Sequence, residues 1–256
     1  MGFVHFVVML PLVFTLLLIR VGFDARKNRK PFRRTKTQSI QDAAGDGLVM
    51  IHGTVCPSEE GLVDLPILGR PVVWYSLTLL ERPNGFFGSN IEQQILKESG
   101  HRAFLLDDGS GECAIVEPGG AVAWLEKHTA ATCGQDTYAT REFESYLASR
   151  HLTSRDATGH GRILRCEVQY VEPGDVLHVV GTSRRLGQRN ESPYRSAKSS
   201  QIVLSQNSQQ NEPLGMTTRS AKEIRQTRHI ILGYLALAYL VAVIVGVLID
   251  EIRKHL

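Results

Sequence analysis

The chain has 256 residues, with 29 Lys plus Arg against 26 Asp plus Glu and a formal net charge of +3. Its apolar share of 43% is ordinary for a globular protein, and its length allows one or two domains. Charge is unevenly spread: residues 1–44 hold 8 basic and 2 acidic groups, residues 45–186 hold 12 and 19, and residues 187–256 hold 9 and 5, so the middle is acidic and argues against a nucleic-acid partner.

The first element is apolar. Phe3 to Ile19 carries only His5, Pro11 and Thr15 as interruptions, and Val21 to Phe23 extend it if Arg20 snorkels to an interface. A cleaved signal peptide would need a basic start and a small-residue cleavage site, and neither flanks this run. Residues 1–23 are therefore expected to form a first transmembrane helix. Residues 24–44 follow as a basic juxtamembrane segment with Arg26, Lys27, Arg29, Lys30, Arg33, Arg34 and Lys36. That cluster sets topology, and anionic lipid is a second use for it.

Residues 45–186 read as a β-rich domain. Leu48 to Val55 and Val72 to Leu80 are β-branched or aromatic runs bounded by Gly and Pro. Phe104-Leu105-Leu106, the turn Asp107-Asp108-Gly109-Ser110-Gly111, and Cys113 to Val116 spell a hairpin. One helix is predicted from a cap at Asp136 or Thr137 to about Arg150, with Phe143, Tyr146 and Leu147 on one side. Arg165 to Tyr170 alternates polar and apolar at period two. Glu172-Pro173-Gly174-Asp175 suits a type II turn, and Val176 to Val180 completes an expected second hairpin. The fold class expected is mainly β, an OB-like or small barrel-type domain with one inserted helix, lying between two transmembrane helices.

Residues 187–229 turn polar and end in a basic flank. The run Gln201-Ile202-Val203-Leu204 inside them reads as linker or edge strand. Residues 230–249 contain no ionisable side chain other than two tyrosines. Twenty residues make a helix of about 30 Å, the thickness of a hydrocarbon core. This is the second expected span, and a short tail, residues 250–256, follows. Basic residues crowd the inner ends of both apolar runs, with Arg219, Lys222, Arg225 and Arg228 before the second. The central domain is thus expected on the cytoplasmic side of a cell or inner membrane. Ala238, Ala242 and Gly246 fall on one helical face, a seam through which the chain could form a homo-oligomer.

Several segments resemble the GIDE family, the membrane-flanked domain of mitochondrial E3 ubiquitin ligases and their prokaryotic relatives. His52-Gly53-Thr54-Val55 precedes Pro66-Ile67-Leu68-Gly69-Arg70-Pro71-Val72-Val73-Trp74-Tyr75, similar to the family's P-x-x-G-x-P-x-x-x-Y segment. Phe104 to Gly111 resembles its F-x-L-x-D-x-x-G hairpin. Phe143 to His151, Glu167 and Glu172 to Gly181 are similar to its closing helix and P-G-D segment. The resemblance implies a membrane-flanked β domain. It departs at the end: a RING domain needs paired Cys and His ligands, and the chain stops seven residues after Ile249 with His255 alone. The expectation is a family member lacking the RING and of prokaryotic source.

No catalytic, cofactor-binding or metal-binding set emerges from the residues. Cys56, Cys113, Cys133 and Cys166 form no C-x-x-C pair, and Cys113 and Cys166 read as small buried residues; disulfides remain open. Asp107 to Glu112 lacks calcium-loop spacing and reads as a turn. His101, His128, His151 and His160 read as surface side chains, and Trp74, Tyr75 and Trp124 as core. The function expected is a membrane-tethered interaction or scaffold module contacting the bilayer and a cytoplasmic protein, with no cofactor. The alternatives are an E3 ubiquitin ligase relative, carried by the resemblance, and an OB-type oligonucleotide binder, which the acidic charge disfavours.

Overall fold

A computed structural model of the chain describes residues 32, 35–43, 47–83, 91–134, 136–185, 200–206 and 214–218. Nearly all of them belong to one compact unit, Thr37–Thr218. Both expected spans, and with them Ala238, Ala242 and Gly246, lie outside the described residues. Among the described residues no helix is long and apolar enough to cross a membrane.

The strands in chain order are β1 (Gly47–Pro57), β2 (Val63–Leu65), β3 (Arg70–Val72), β4 (Trp74–Arg82), β5 (Gln93–His101), β6 (Phe104–Asp107), β7 (Cys113–Val116), β8 (Val122–Trp124) and β9 (His128–Cys133). After α1 (Arg141–Ser149) come β10 (Ile163–Val171), β11 (Val176–Arg185), β12 (Ser200–Ser205) and β13 (Gly215–Thr217). The fold is mainly β, as expected, and contains a small closed barrel of five strands. Its ring runs β1, β6, β7, β12, β11 and back to β1; all neighbours are antiparallel except β7 and β12. Closure leaves no edge strand within the ring. Ile51, Phe104, Leu106, Leu177, Val179 and Leu204 fill it, each fully buried. Ile40 and Ala43, from the stretch expected to be juxtamembrane, join this core.

A second sheet runs β5-β4-β10-β9, and α1 covers one of its faces. On β10 the alternation holds: Leu164, Cys166 and Val168 are buried, while Arg165, Glu167 and Gln169 are half-exposed. The apolar set meets Phe143, Tyr146 and Leu147, the helix face expected from sequence. Burying each such large side chain stabilises by roughly 1.5–3 kcal/mol.

Four local expectations need correction. The helix is capped by Thr140, which accepts from Phe143 N at 3.3 Å, so it starts after the caps expected at Asp136 or Thr137. The fully buried helix positions begin at Phe143, one turn after that cap. The run Val72 to Leu80 breaks at Val73, whose N–H donates to Val171 O and whose carbonyl accepts from Arg102 N. The stretch read as linker or edge strand supplies β12, which is paired on both sides, to β7 and to β11. It also supplies β13, paired to β11 and β8.

Finally, β10 and β11 do not form a hairpin. The turn between them is present: Asp175 N donates to Glu172 O at 3.2 Å, and Gly174 has φ of 93°, the left-handed value a type II turn demands. The end of β1 grips it, however. Val55 N donates to Asp175 O and Gly174 N donates to Val55 O, both at 2.8 Å. The chain is thereby handed from the second sheet to the barrel.

Candidate functional site

The residues that carry the family-like pattern converge where the second sheet, α1 and the β2–β3 hairpin meet. Tyr75 stands at the start of β4, opposite Gly100 of β5 on one side and Tyr170 of β10 on the other. Its ring lies over the glycine: a Cβ at residue 100 would be 2.3 Å from Tyr75 Cε1. Glu98, two residues back on β5, shares that strand face. The helix brings Tyr146 and, one turn later, Arg150. The Arg150 Nε donates to Glu98 Oε2 at 2.7 Å, and its guanidinium sits 5.5 Å above the Tyr146 ring. A cation at the helix C-terminus also suits the helix dipole.

These neighbours set protonation. Burial, and then the Glu98 charge, raise the Tyr75 phenol, with Arg150 opposing. Burial and Glu98 push Tyr146 well above the ordinary tyrosine range. Beneath them, burial chiefly, with Glu98 adding, pushes the Cys166 thiol up to about 12. Both phenols and the thiol therefore stay protonated at neutral pH, and the carboxylate is neutralised by the guanidinium. Protonated donors around a paired charge hold a surface together or bind a polar group.

The hairpin tip beside them is strained. Leu68 N donates to Pro66 O at 2.8 Å, closing a three-residue turn around Ile67, whose φ is 71°. That is the rare γ-turn, in a conformation that β-branched residues almost never adopt. The Ile67 side chain packs partly buried against the cluster that holds Leu65, Tyr75 and Tyr146. Leu68 and Leu62 are each 37% exposed. Arg70 follows, its Nη1 3.5 Å from Glu172 Oε1.

The other residues singled out from sequence go elsewhere. In the loop Asp107 to Glu112 the two aspartates serve the backbone. Asp107 Oδ1 accepts from Gly109 N, Asp108 Oδ1 from Ser110 N, and Asp108 Oδ2 from Ile40 N at 2.7 Å. Burial works to raise the Asp108 pKa, but the hydrogen bonds from Ser110 and Ile40 outweigh it and hold it below the ordinary range. His101, His128, His151 and His160 are exposed and are not brought together. His128 rests 5.3 Å from the Tyr170 ring, and His160 Nδ1 lies 2.7 Å from the Thr158 hydroxyl. Trp74 is buried in the barrel core, while Trp124 is half-buried on β8. Cys113, Cys133 and Cys166 are buried, and all four cysteines are thiols. Among the described residues no three metal-ligating side chains cluster.

Two features were not legible in sequence. The strained tip gave no signal, because nothing in Pro66-Ile67-Leu68-Gly69 marks a positive φ at a β-branched residue. The cross-strand pair His52 and His178 depends on barrel closure. Comparison of the chain with protein-family models, with curated proteins and with solved structures finds no match.

Proposed function

We propose that the chain is a membrane-tethered, non-catalytic interaction module. In this reading an OB-like barrel is held between transmembrane helices at residues 1–23 and 230–249, on the cytoplasmic side of a cell or inner membrane. The two apolar ends and their basic inner flanks support the tethering. The observation that carries the binding role is the β2–β3 tip. A strained residue costs about 1–3 kcal/mol and persists only when its surroundings hold it. Ile67 is held by its packing, and the neighbouring Leu68 is left exposed at the hairpin tip, two residues before Arg70. An exposed apolar side chain near a single arginine suits a protein contact more closely than a nucleic-acid groove, which needs clustered cations. The partner is a cytoplasmic protein.

A photo-crosslinking side chain placed at Leu68 of the full-length chain, in its native membrane, tests this. A discrete adduct is expected from position 68, absent from exposed position Thr158 and lost when Arg70→Glu is added. Equal labelling at both positions sinks the reading. The segments Pro66 to Tyr75 and Phe143 to His151 favour a second reading, an E3 ubiquitin ligase relative; discharge of a ubiquitin-charged conjugating enzyme by the purified chain would select it.

A further inference from the structure

His52 and His178 lie far apart in sequence, yet the antiparallel register of β1 and β11 sets them directly opposite one another. The type of pair follows from alternation. Val55 N donates to Asp175 O, so position 55 turns its amide toward β11. Positions 53 and 51 do the same, and 54 and 52 turn theirs away. His52 and His178 therefore form a non-hydrogen-bonded pair, the kind whose side chains approach most closely. Their ring centroids are 4.4 Å apart and the planes are tilted by 38°. His52 is exposed and His178 half-buried. The Nδ1 of His178 is closed to solvent.

Two nitrogens on one metal ion, each about 2.0–2.1 Å from it, lie about 3 Å apart. Rings whose centroids are 4.4 Å apart reach that spacing by small side-chain rotation. The backbones that carry them are already fixed by the closed barrel, so little ordering remains for a ligand to impose. The flanking positions on the same strand faces are Met50, Thr54, Val176 and Val180, and Thr217 stands opposite His178 on β13. None is a carboxylate, and the Thr217 hydroxyl donates to Trp124 O. Among the described residues such a donor set suits imidazole-preferring ions rather than hard, oxygen-seeking calcium or magnesium.

We propose that His52 and His178 form a two-imidazole site for a divalent transition-metal ion of the zinc, nickel and copper class, with water completing its coordination. The test uses the untagged full-length chain, titrated separately with nickel, zinc and copper salts. Binding is followed by equilibrium dialysis and by the metal-dependent shift of the unfolding midpoint. One saturable equivalent is expected, copper tighter than nickel, with calcium and magnesium unable to compete. Loss of a mere outer-shell partner weakens metal sites about 10–100-fold, so His52→Gln and His178→Gln should each cost at least about tenfold. His101→Gln should change nothing. His52 is exposed, and an unchanged metal-free midpoint in His52→Gln certifies its fold. Retention of the tight equivalent in His52→Gln, equal loss in His101→Gln, or no saturable binding would each overturn the proposal.

Discussion

Gly100→Ala separates two effects that glycine replacement normally mixes. Residue 100 has no left-handed φ, so alanine there is compatible with the backbone and should stabilise by about 0.4–1 kcal/mol through the unfolded chain. The added methyl, however, would lie 2.3 Å from Tyr75 Cε1, 2.8 Å from Cζ and 3.0 Å from the hydroxyl. All three distances are below contact, so the ring must move. Overpacking of this kind costs about 1–3 kcal/mol, and the half-exposed Tyr75 can swing outward, which favours the lower half of that range. The net expectation is a loss of about 0.5–1.5 kcal/mol. In a Tyr75→Ala background the obstacle is gone, and the same substitution should become neutral or stabilising. The double-mutant cycle then yields a coupling of about 1–2 kcal/mol. Denaturant unfolding followed by tryptophan fluorescence measures it cleanly, because the chain's two tryptophans, Trp74 and Trp124, both lie in the central unit. An effect of Gly100→Ala that is identical in both backgrounds would refute the placement of the ring.

Arg162 holds Glu81 with two hydrogen bonds of 2.8 Å, which lower the Glu81 pKa against the smaller opposing effect of burial. A depressed carboxylate stabilises the fold above its unfolded pKa and loses that contribution as pH falls through the folded value. Glu81→Gln should therefore cost about 1 kcal/mol at pH 7 and flatten the acid limb of a stability–pH curve; an unchanged limb rules the pair out as its source. Thiol labelling of the native chain should modify half-exposed Cys56 first and spare Cys113, Cys133 and Cys166, with peptide mass spectrometry as readout; early modification of Cys166 would contradict its burial. Reporter fusions at Gly187 should read as cytoplasmic, and a periplasmic signal would reverse the proposed orientation.

What was legible in the sequence was whatever a single element decides for itself. The alternation of Arg165 to Tyr170, the Asp107 to Gly111 turn and the apolar face of α1 are local patterns with local causes. Strand β5 escaped because Gln93 to His101 has no clear alternation; its extended form is imposed by eight residues of β4 paired beside it. Strand β12 was read only as linker or edge strand because Ile202-Val203-Leu204 is too short a run to show a period, and both its partners come from distant segments. The candidate site fails for the same reason, since Tyr75, Glu98 and Arg150 arrive from β4, β5 and α1.

The β10–β11 junction shows where local reasoning stops. Pro173 and Gly174 determine the turn, and the turn forms, but turn geometry alone does not choose which strands pair. A hairpin would lay β10 against β11 in one sheet. Leu164, Cys166 and Val168 from one strand would then compete with Leu177 and Val179 from the other for a single covering layer. Separated, the first set is buried under Phe143 and Leu147, and the second fills the barrel with Ile51 and Phe104. At roughly 1.5–3 kcal/mol for each large side chain, losing either layer outweighs the gain of a short-range ladder. The separated strands also keep full ladders: β10 pairs along its whole length with β4, and β11 pairs with β1 from Gly47 to Thr54. The turn therefore serves as a passage between two cores, and the grip of Val55 on Gly174 and Asp175 is what fixes that passage in place.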